Sequence, residues 1–463
     1  MGAEGNDHRR PVVLVSNRGP VAFSVGDDGE LSSRRGAGGL VSGLGPLVVG
    51  TDATWIAAAM TEGDRLAAER GVQAAEGFHL RSLALDPGDF RMAYDVVCNA
   101  ALWFVHHGLY DRARRPRFDT TWREAWAAYR RVNEAFARAV VEGAPADAAV
   151  LVQDYHLTLL APTVRAARPD LRLVHFAHTP FAGPDELRVL PDDTAVEMLT
   201  GLAAHHACGF HADRWADAFV RCCADAEIEP PPVFTSPLPA AVDDIRGVAD
   251  STAADDGRAW LAERVGDRAL IARVDRIELS KNLLRGFHAY DDLLTRYPRW
   301  RERVVFAALC YPSREGLPEY LAYRQEVEGL VARLNERWAT PGWTPILLDE
   351  SDDFPRSVAA LTRYDVLLVN PVRDGLNLVA KEGPLVNRRE GSVVLSREAG
   401  VWDELGDAAL GINPFDVAAT ADALDRALAL GADERSARAE RLRKRAEART
   451  PGDWLADQLT AAG

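Results

Sequence analysis

The stretch V-L-L-V-N-P-V-R-D-G-L-N-L-V-A-K-E (Val366–Glu382) holds a strand, a turn and a helix start in one segment. Its strand, Val366–Asn370, lacks apolar–polar alternation, which implies burial on both faces, as in a parallel sheet covered by helices. The strand ends at Pro371, Asp374-Gly375 makes a turn, and Asn377–Val379 opens a helix. Free amides at a helix start attract anions, so those of Leu376, Asn377 and Leu378, after Gly375, are candidates to hold phosphate oxygens. Asp374 can accept sugar hydroxyls, and Glu382 can accept hydrogen bonds from a ribose diol. A plain turn aspartate followed by a solvated Lys381-Glu382 pair is the simpler and less favoured reading.

The same strand–helix unit recurs outward from this stretch. Val12–Val15, Ala149–Gln153, Arg172–His175, Ala269–Ala272, Val304–Ala308 and Val393–Ser396 read as further buried strands. Trp122–Val141, Leu283–Arg296, Glu319–Trp338 and Phe354–Arg363 read as helices between them. Such alternation predicts an α/β protein with parallel sheets. The prolines 230–232, 237 and 239 form a stiff segment suited to carry the chain between domains. Two doubly wound, Rossmann-like domains facing across a cleft are therefore expected, at residues 1–236 and 237–446. A terminal helix, 447–463, is expected to pack back on the first. In such sheets ligands bind at the carboxyl ends of the strands.

The chain has 463 residues and a formal net charge of −15. That balance argues against a nucleic-acid partner bound through phosphate neutralisation, but leaves room for a local cationic pocket. The 5 cysteines are odd in number and lack C-x-x-C spacing, so neither a disulfide framework nor a zinc site is expected. With no apolar leader and no membrane-length apolar run, the expectation is a cytoplasmic protein without a membrane partner.

Three further segments carry chemistry. V-S-N-R-G-P (Val15–Pro20) ends a strand in Arg18, a guanidinium suited to a phosphate. The glycines Gly36, Gly38 and Gly39 follow it and precede an apolar helical segment, although a simple glycine turn is equally favoured. V-Q-D-Y-H-L (Val152–Leu157) and H-F-A-H-T-P-F (His175–Phe181) end adjacent strands and place Asp154 and His178 on one sheet edge. His156 and His175 read as structural, and no metal is expected. R-V-D-R-I-E-L-S-K-N (Arg273–Asn282) offers Arg276 and Lys281 at a strand–helix turn, suited to a diphosphate unless Asp275 and Glu278 neutralise them.

Taken in order, these segments resemble the trehalose-6-phosphate synthase family, retaining glycosyltransferases of the GT-B fold. The likeness runs from Val12 to about Leu455. It also rests on N-A-x-L-W (Asn99–Trp103), the serine–lysine pair at 280–281, and G-W-T-P (Gly342–Pro345). The resemblance implies that Arg18, Tyr94, Trp103, Tyr155 and Arg314 hold the acceptor, glucose 6-phosphate, and that Asp154 contacts its hydroxyls. It implies that Gly39, Arg276 and Lys281 grip the donor diphosphate, completed by the amides after Gly375. His178 and Asp374 would bind the donor sugar and Glu382 the ribose. No cofactor is implied, and a homo-oligomer is left open.

Many family members read W-x-G-W-S-G where this chain reads W-I-A-A-A-M (Trp55–Met60), so Ala58 replaces an acceptor-site tryptophan. A second enzyme reading follows, a pseudoglycosyltransferase coupling a nucleotide-linked cyclitol to an aminocyclitol phosphate, as in validoxylamine 7′-phosphate synthase. A catalytically silent regulatory subunit is a third, disfavoured because Arg276, Lys281, Asp374 and Glu382 are all present. For the donor base, guanine is favoured narrowly over uracil. The small residues Ala307 and Ala308 are expected to leave room near the strand ends Ala307–Tyr311 and Ile346–Leu348.

Overall fold

The apolar runs form parallel strands in a computed structural model that describes residues 10–26, 29–35, 45, 51–71 and 78–463. Contacts divide the chain into Met1–Ser236 with Gly452–Gly463, and Pro237–Pro451. The strands of the first unit are β1 (Val12–Ser16), β2 (Val21–Val25), β3 (Leu31–Arg35), β4 (Thr54–Ala58) and β5 (His79–Leu83). They continue with β6 (Ala149–Gln153), β7 (Arg172–Phe176), β8 (Ala207–Phe210) and β9 (Val233–Thr235). Seven make one parallel sheet in the order β5-β4-β1-β6-β7-β8-β9, while β2 and β3 form a separate antiparallel hairpin.

The second unit contains β10 (Ala269–Ile277), β11 (Val304–Pro312), β12 (Ile346–Asp349), β13 (Val366–Val369), β14 (Ser392–Ser396) and β15 (Leu410–Ile412). They pair in parallel as β12-β11-β10-β13-β14-β15. In each sheet the first strand is central, the next two extend to one side and the rest to the other. The winding direction therefore reverses between β1 and β6, and again between β10 and β13. Such a reversal opens a crevice at the strand ends, where doubly wound sheets bind ligands.

Some boundaries differ from the sequence expectation. Strand β10 runs on to Ile277 because it pairs with β11 along its whole length, Arg276 opposite Tyr311 and Ile277 opposite Pro312. Arg276 thus lies on a strand rather than in a turn, and Lys281 closes a single 3-10 turn, Leu279–Lys281. The polar stretch after Pro20 is the β2–β3 hairpin. Residues Met92–Leu102 wind as a π-helix, a form that recurs at functional sites. It carries Tyr94 and Asn99 and leads straight into Trp103. The last helix, Pro451–Ala462, packs within the first unit, where Trp454 is fully buried with its ring centroid 4.9 Å from that of Phe176. Among the described residues no helix is long and apolar enough to cross a membrane.

Candidate active site

In the first unit the crevice between β1 and β6 gathers Asn17 and Arg18 on one side and Asp154–His156 on the other. Arg18 is exposed, and its Nη2 donates to the Tyr94 hydroxyl at 3.3 Å. The Tyr94 ring stacks on His156 (5.8 Å between centroids), which in turn stacks on Tyr155 (4.2 Å). The Tyr155 hydroxyl donates to Asn99 Oδ1 at 3.5 Å. Trp103 is buried, stacked on His107 at 4.2 Å. Asn17 is buried as well, and its side-chain Nδ2 has no hydrogen-bond partner among the described residues.

Asp154 follows β6 with φ +70°. Its Oδ1 accepts from the His178 amide at 3.2 Å, and its Oδ2 lies 3.7 Å from His156 Nδ1. Both ring nitrogens of His178 are engaged within this unit, Nε2 with Gln153 Oε1 (2.9 Å) and Nδ1 with His211 Nε2 (3.2 Å). Burial, with His175 nearby, lowers the His178 pKa to about 3, so the ring is neutral at neutral pH. Gln153 Nε2 donates to Gln458 Oε1 on the last helix at 3.1 Å.

In the second unit the crevice between β10 and β13 is ionic. Lys281 Nζ stands 2.7 Å from Asp374 Oδ2 and 3.7 Å from Asp275 Oδ1. Burial alone would lower the Lys281 pKa, but the two carboxylates overcome it and hold the ammonium above its ordinary value. Burial raises the pKa of Asp275, against the pull of Arg273 and Lys281. Arg273 is fully buried and donates to Asn370 Oδ1 at 2.6 Å and to the Lys281 carbonyl, pinning the 3-10 turn to β13. Arg276 pairs with Glu278 at 2.8 Å. Arg314, expected with the acceptor group, lies in this unit, 3.6 Å from the same Glu278 oxygen and bonded to the Tyr320 hydroxyl. Glu278 thus neutralises part of the cationic charge read from the sequence.

The turn at Asp374–Leu378 is not yet helical. The helix is Val379–Val386, so the Leu376, Asn377 and Leu378 amides lie before it rather than in its first turn. Asn377 takes φ +87°, and its Nδ2 donates to Asp374 Oδ2 at 3.1 Å. Among the described residues those three amides donate to no acceptor, although Leu376 and Asn377 are buried. Such unclaimed amides in a turn form an anion-binding concavity. Segment 398–401 braces the turn. Asp374 N–H donates to Glu398 O (3.1 Å), Gly400 N–H to Asp374 O (3.0 Å) and Val401 N–H to Leu376 O (2.9 Å). Burial pushes the Glu382 carboxyl up to about 7. Lys381 is buried and paired with Glu404 at 2.6 Å, not solvated.

Gly39 lies outside the described residues. Ala58 ends β4, its amide donating to Asn17 O at 3.2 Å, so the alanine stands beside the Arg18 segment. Ala307 and Ala308 are fully buried within β11 and open no space at the strand ends. Sequence reading missed Gln153, His211, Arg273, the bridging role of Glu278 and the brace at 398–401. Gln153 and Arg273 carried a usable signal, as polar residues in otherwise apolar strand runs.

The description of glycosyltransferase family 20 matches residues 10–462. The bifunctional trehalose-6-phosphate synthase/phosphatase of Thermoproteus tenax is 30% identical over 470 residues, 96% of this chain. The match spans only 62% of that longer protein. The validamine 7-phosphate valienyltransferase of Streptomyces hygroscopicus subsp. jinggangensis is 29% identical over 88% of this chain and 84% of its own. Among solved structures, a UDP-forming α,α-trehalose-phosphate synthase from Burkholderia xenovorans, in complex with glucose-6-phosphate, superposes with a TM-score of 0.84. It is 27% identical and covers 97% of this chain and 99% of its own. Two Rossmann-like sheets with a polar crevice at each reversal agree with this match along almost the whole length, and the chain is a glycosyltransferase that belongs to glycosyltransferase family 20.

Proposed function

We propose that the chain moves glucose, with retention of configuration, from a nucleoside-diphosphate glucose to glucose 6-phosphate, giving trehalose 6-phosphate. The observation that carries this reading is the second unit's crevice. There the Lys281–Asp374 pair stands beside three amides that have no acceptor among the described residues, so one crevice offers a carboxylate to accept from hydroxyls and N–H groups to donate to an anion. Arg276, Lys281 and the amides of Leu376, Asn377 and Leu378 hold the diphosphate, with Gly375 giving the turn. Asp374 accepts the donor sugar's hydroxyls and Glu382 the ribose. In the first unit Arg18 and Tyr94 hold the acceptor phosphate, while Trp103 and Tyr155 shape the pocket and Asp154 orients hydroxyls; Arg314 keeps the acceptor role that the family resemblance implies. His178 contributes to the donor sugar through its ring face and by holding Asp154, since both its nitrogens are engaged.

In this reading the acceptor hydroxyl attacks the anomeric carbon from the face the diphosphate leaves. The carbon–diphosphate bond breaks, and the departing phosphate oxygen takes the hydroxyl's proton. The protein supplies position and preorganised positive charge rather than a nucleophile.

A second acceptor, an aminocyclitol phosphate, is favoured by Ala58 at the edge of the first crevice and by the likeness to the valienyltransferase. For the base, the buried alanines remove the support for guanine. The comparison structure named for its nucleotide is UDP-forming, which weighs toward uridine. The test is diphosphate release with UDP-glucose and GDP-glucose, each with glucose 6-phosphate and with validamine 7-phosphate. The proposal requires glucose 6-phosphate to raise release from at least one donor at least tenfold over donor alone. Release that depends only on the cyclitol phosphate overturns it in favour of the second acceptor.

A further inference from the structure

Asp154 takes φ +70° and ψ 172°, a backbone region almost confined to glycine. Such a conformation persists only where its surroundings hold it, and here strand β7 and the residues just after it supply the hold. The Asp154 amide donates to Phe176 O at 2.7 Å, and the His178 amide donates to Asp154 Oδ1 at 3.2 Å. His175 Nε2 lies 3.0 Å from the Asp154 carbonyl oxygen, which the Leu157 amide reaches only at 3.4 Å. A carbonyl can only accept, so His175 must carry its hydrogen on Nε2 and donate it.

The residue type is otherwise hard to account for. His175 is 2% exposed, in a strand whose neighbours Leu173, Val174 and Phe176 are apolar and buried. Burial lowers its pKa to about 4, leaving one N–H on a neutral ring, and that N–H is spent on Asp154. An apolar residue would fill the same space without desolvating an imidazole.

We propose that His175 is a positioning residue whose Nε2–H locks the Asp154 peptide and so sets the direction of the Asp154 carboxylate toward the acceptor. The proposal rests on the reading of Asp154 as an acceptor contact. Misplacing a substrate-orienting group by about 1 Å costs on the order of 10²-fold in rate.

The test compares His175→Gln, whose amide can reach the position of Nε2, with His175→Asn, whose shorter amide cannot. Expected are near-normal kcat for Gln and a loss of about 10- to 100-fold for Asn, with donor KM unchanged in both and equal melting temperatures. Equal loss in the two variants, or no loss in Asn, overturns the proposal. If the wild-type protein transfers to no phosphorylated acceptor, the functional reading has failed, and nitrogen-15 imidazole shifts decide the clamp alone. A single Nε2–H tautomer at His175 supports it, and an Nδ1–H or averaging ring overturns it.

Discussion

Arg276 and Lys281 are both cations of the second crevice, but they differ in what else depends on them. Arg276 is 44% exposed in its side chain and, among the described residues, pairs with one carboxylate, Glu278, which also has Arg314 beside it. Arg276→Ala is expected to cut turnover by about 10²–10³, the effect of losing one preorganised donor to developing charge, with little change in melting temperature. Lys281 is enclosed between Asp374 and Asp275, so Lys281→Ala should cost comparable turnover and also about 3 kcal/mol of stability, because the Asp374 carboxylate loses this ammonium and buried Asp275 is left to Arg273. Steady-state kinetics with denaturant titration separates the two, and near-normal kcat in either variant removes that residue from the leaving-group site. Glu382 gives a pH signature. Its carboxyl rises from 4.5 to about 7 on folding, so the native state prefers it protonated. Its stabilising contribution is complete below pH 4.5 and is lost as pH rises through about 7, a swing of about 3 kcal/mol by linkage. Glu382→Gln does not titrate, so its stability relative to wild type should increase across that window. A pH-independent difference between the two proteins contradicts the assignment.

Elements explain which of these residues could be read from the sequence. Parallel strands are largely apolar, so the first polar residues after each run stand out, and Asp154 and His178 were legible for that reason, while Asp374 was legible from the turn before a helix start. The hairpin β2–β3 was not, because a short amphipathic pair without a sheet to join reads as polar loop. Nor was the true end of β10, since Asp275 and Arg276 look like turn residues until β11 is seen pairing alongside. Contacts between segments distant in the chain left no local trace, as with Glu278 reaching Arg314. Another such contact is testable at Gly400, where a Cβ would come within 1.9 Å of the Gly375 carbonyl oxygen. Gly400→Ala must push the 374–376 turn away from its brace, at a cost of about 1–3 kcal/mol. Donor affinity should fall with it while acceptor binding to the first unit is unchanged, as measured by calorimetric titration of each ligand alone. Unchanged donor affinity would mean that the brace does not set the turn.

At the scale of the molecule, a formal charge of −15 coexists with the cationic cluster of Arg276, Lys281 and Arg314 in the second unit because the cations are placed locally. The two units repeat one winding order, and the first is completed from the far end of the chain by Trp454 and Gln458. Trp454→Ala should destabilise that unit by about 3–5 kcal/mol, seen as an earlier first transition in thermal unfolding with the second unit's transition unmoved. A single unshifted transition would show that the helix is dispensable. The same helix sets a timetable for synthesis. Gln153 and Gln458 are separated by 305 positions, and at about 5–20 residues per second a ribosome needs about 15–60 s to bridge them. Once β9 has been made, the first sheet waits through the rest of that interval with the socket beside Phe176 still uncovered. The nascent chain then depends on whatever shields apolar surface until its last helix arrives.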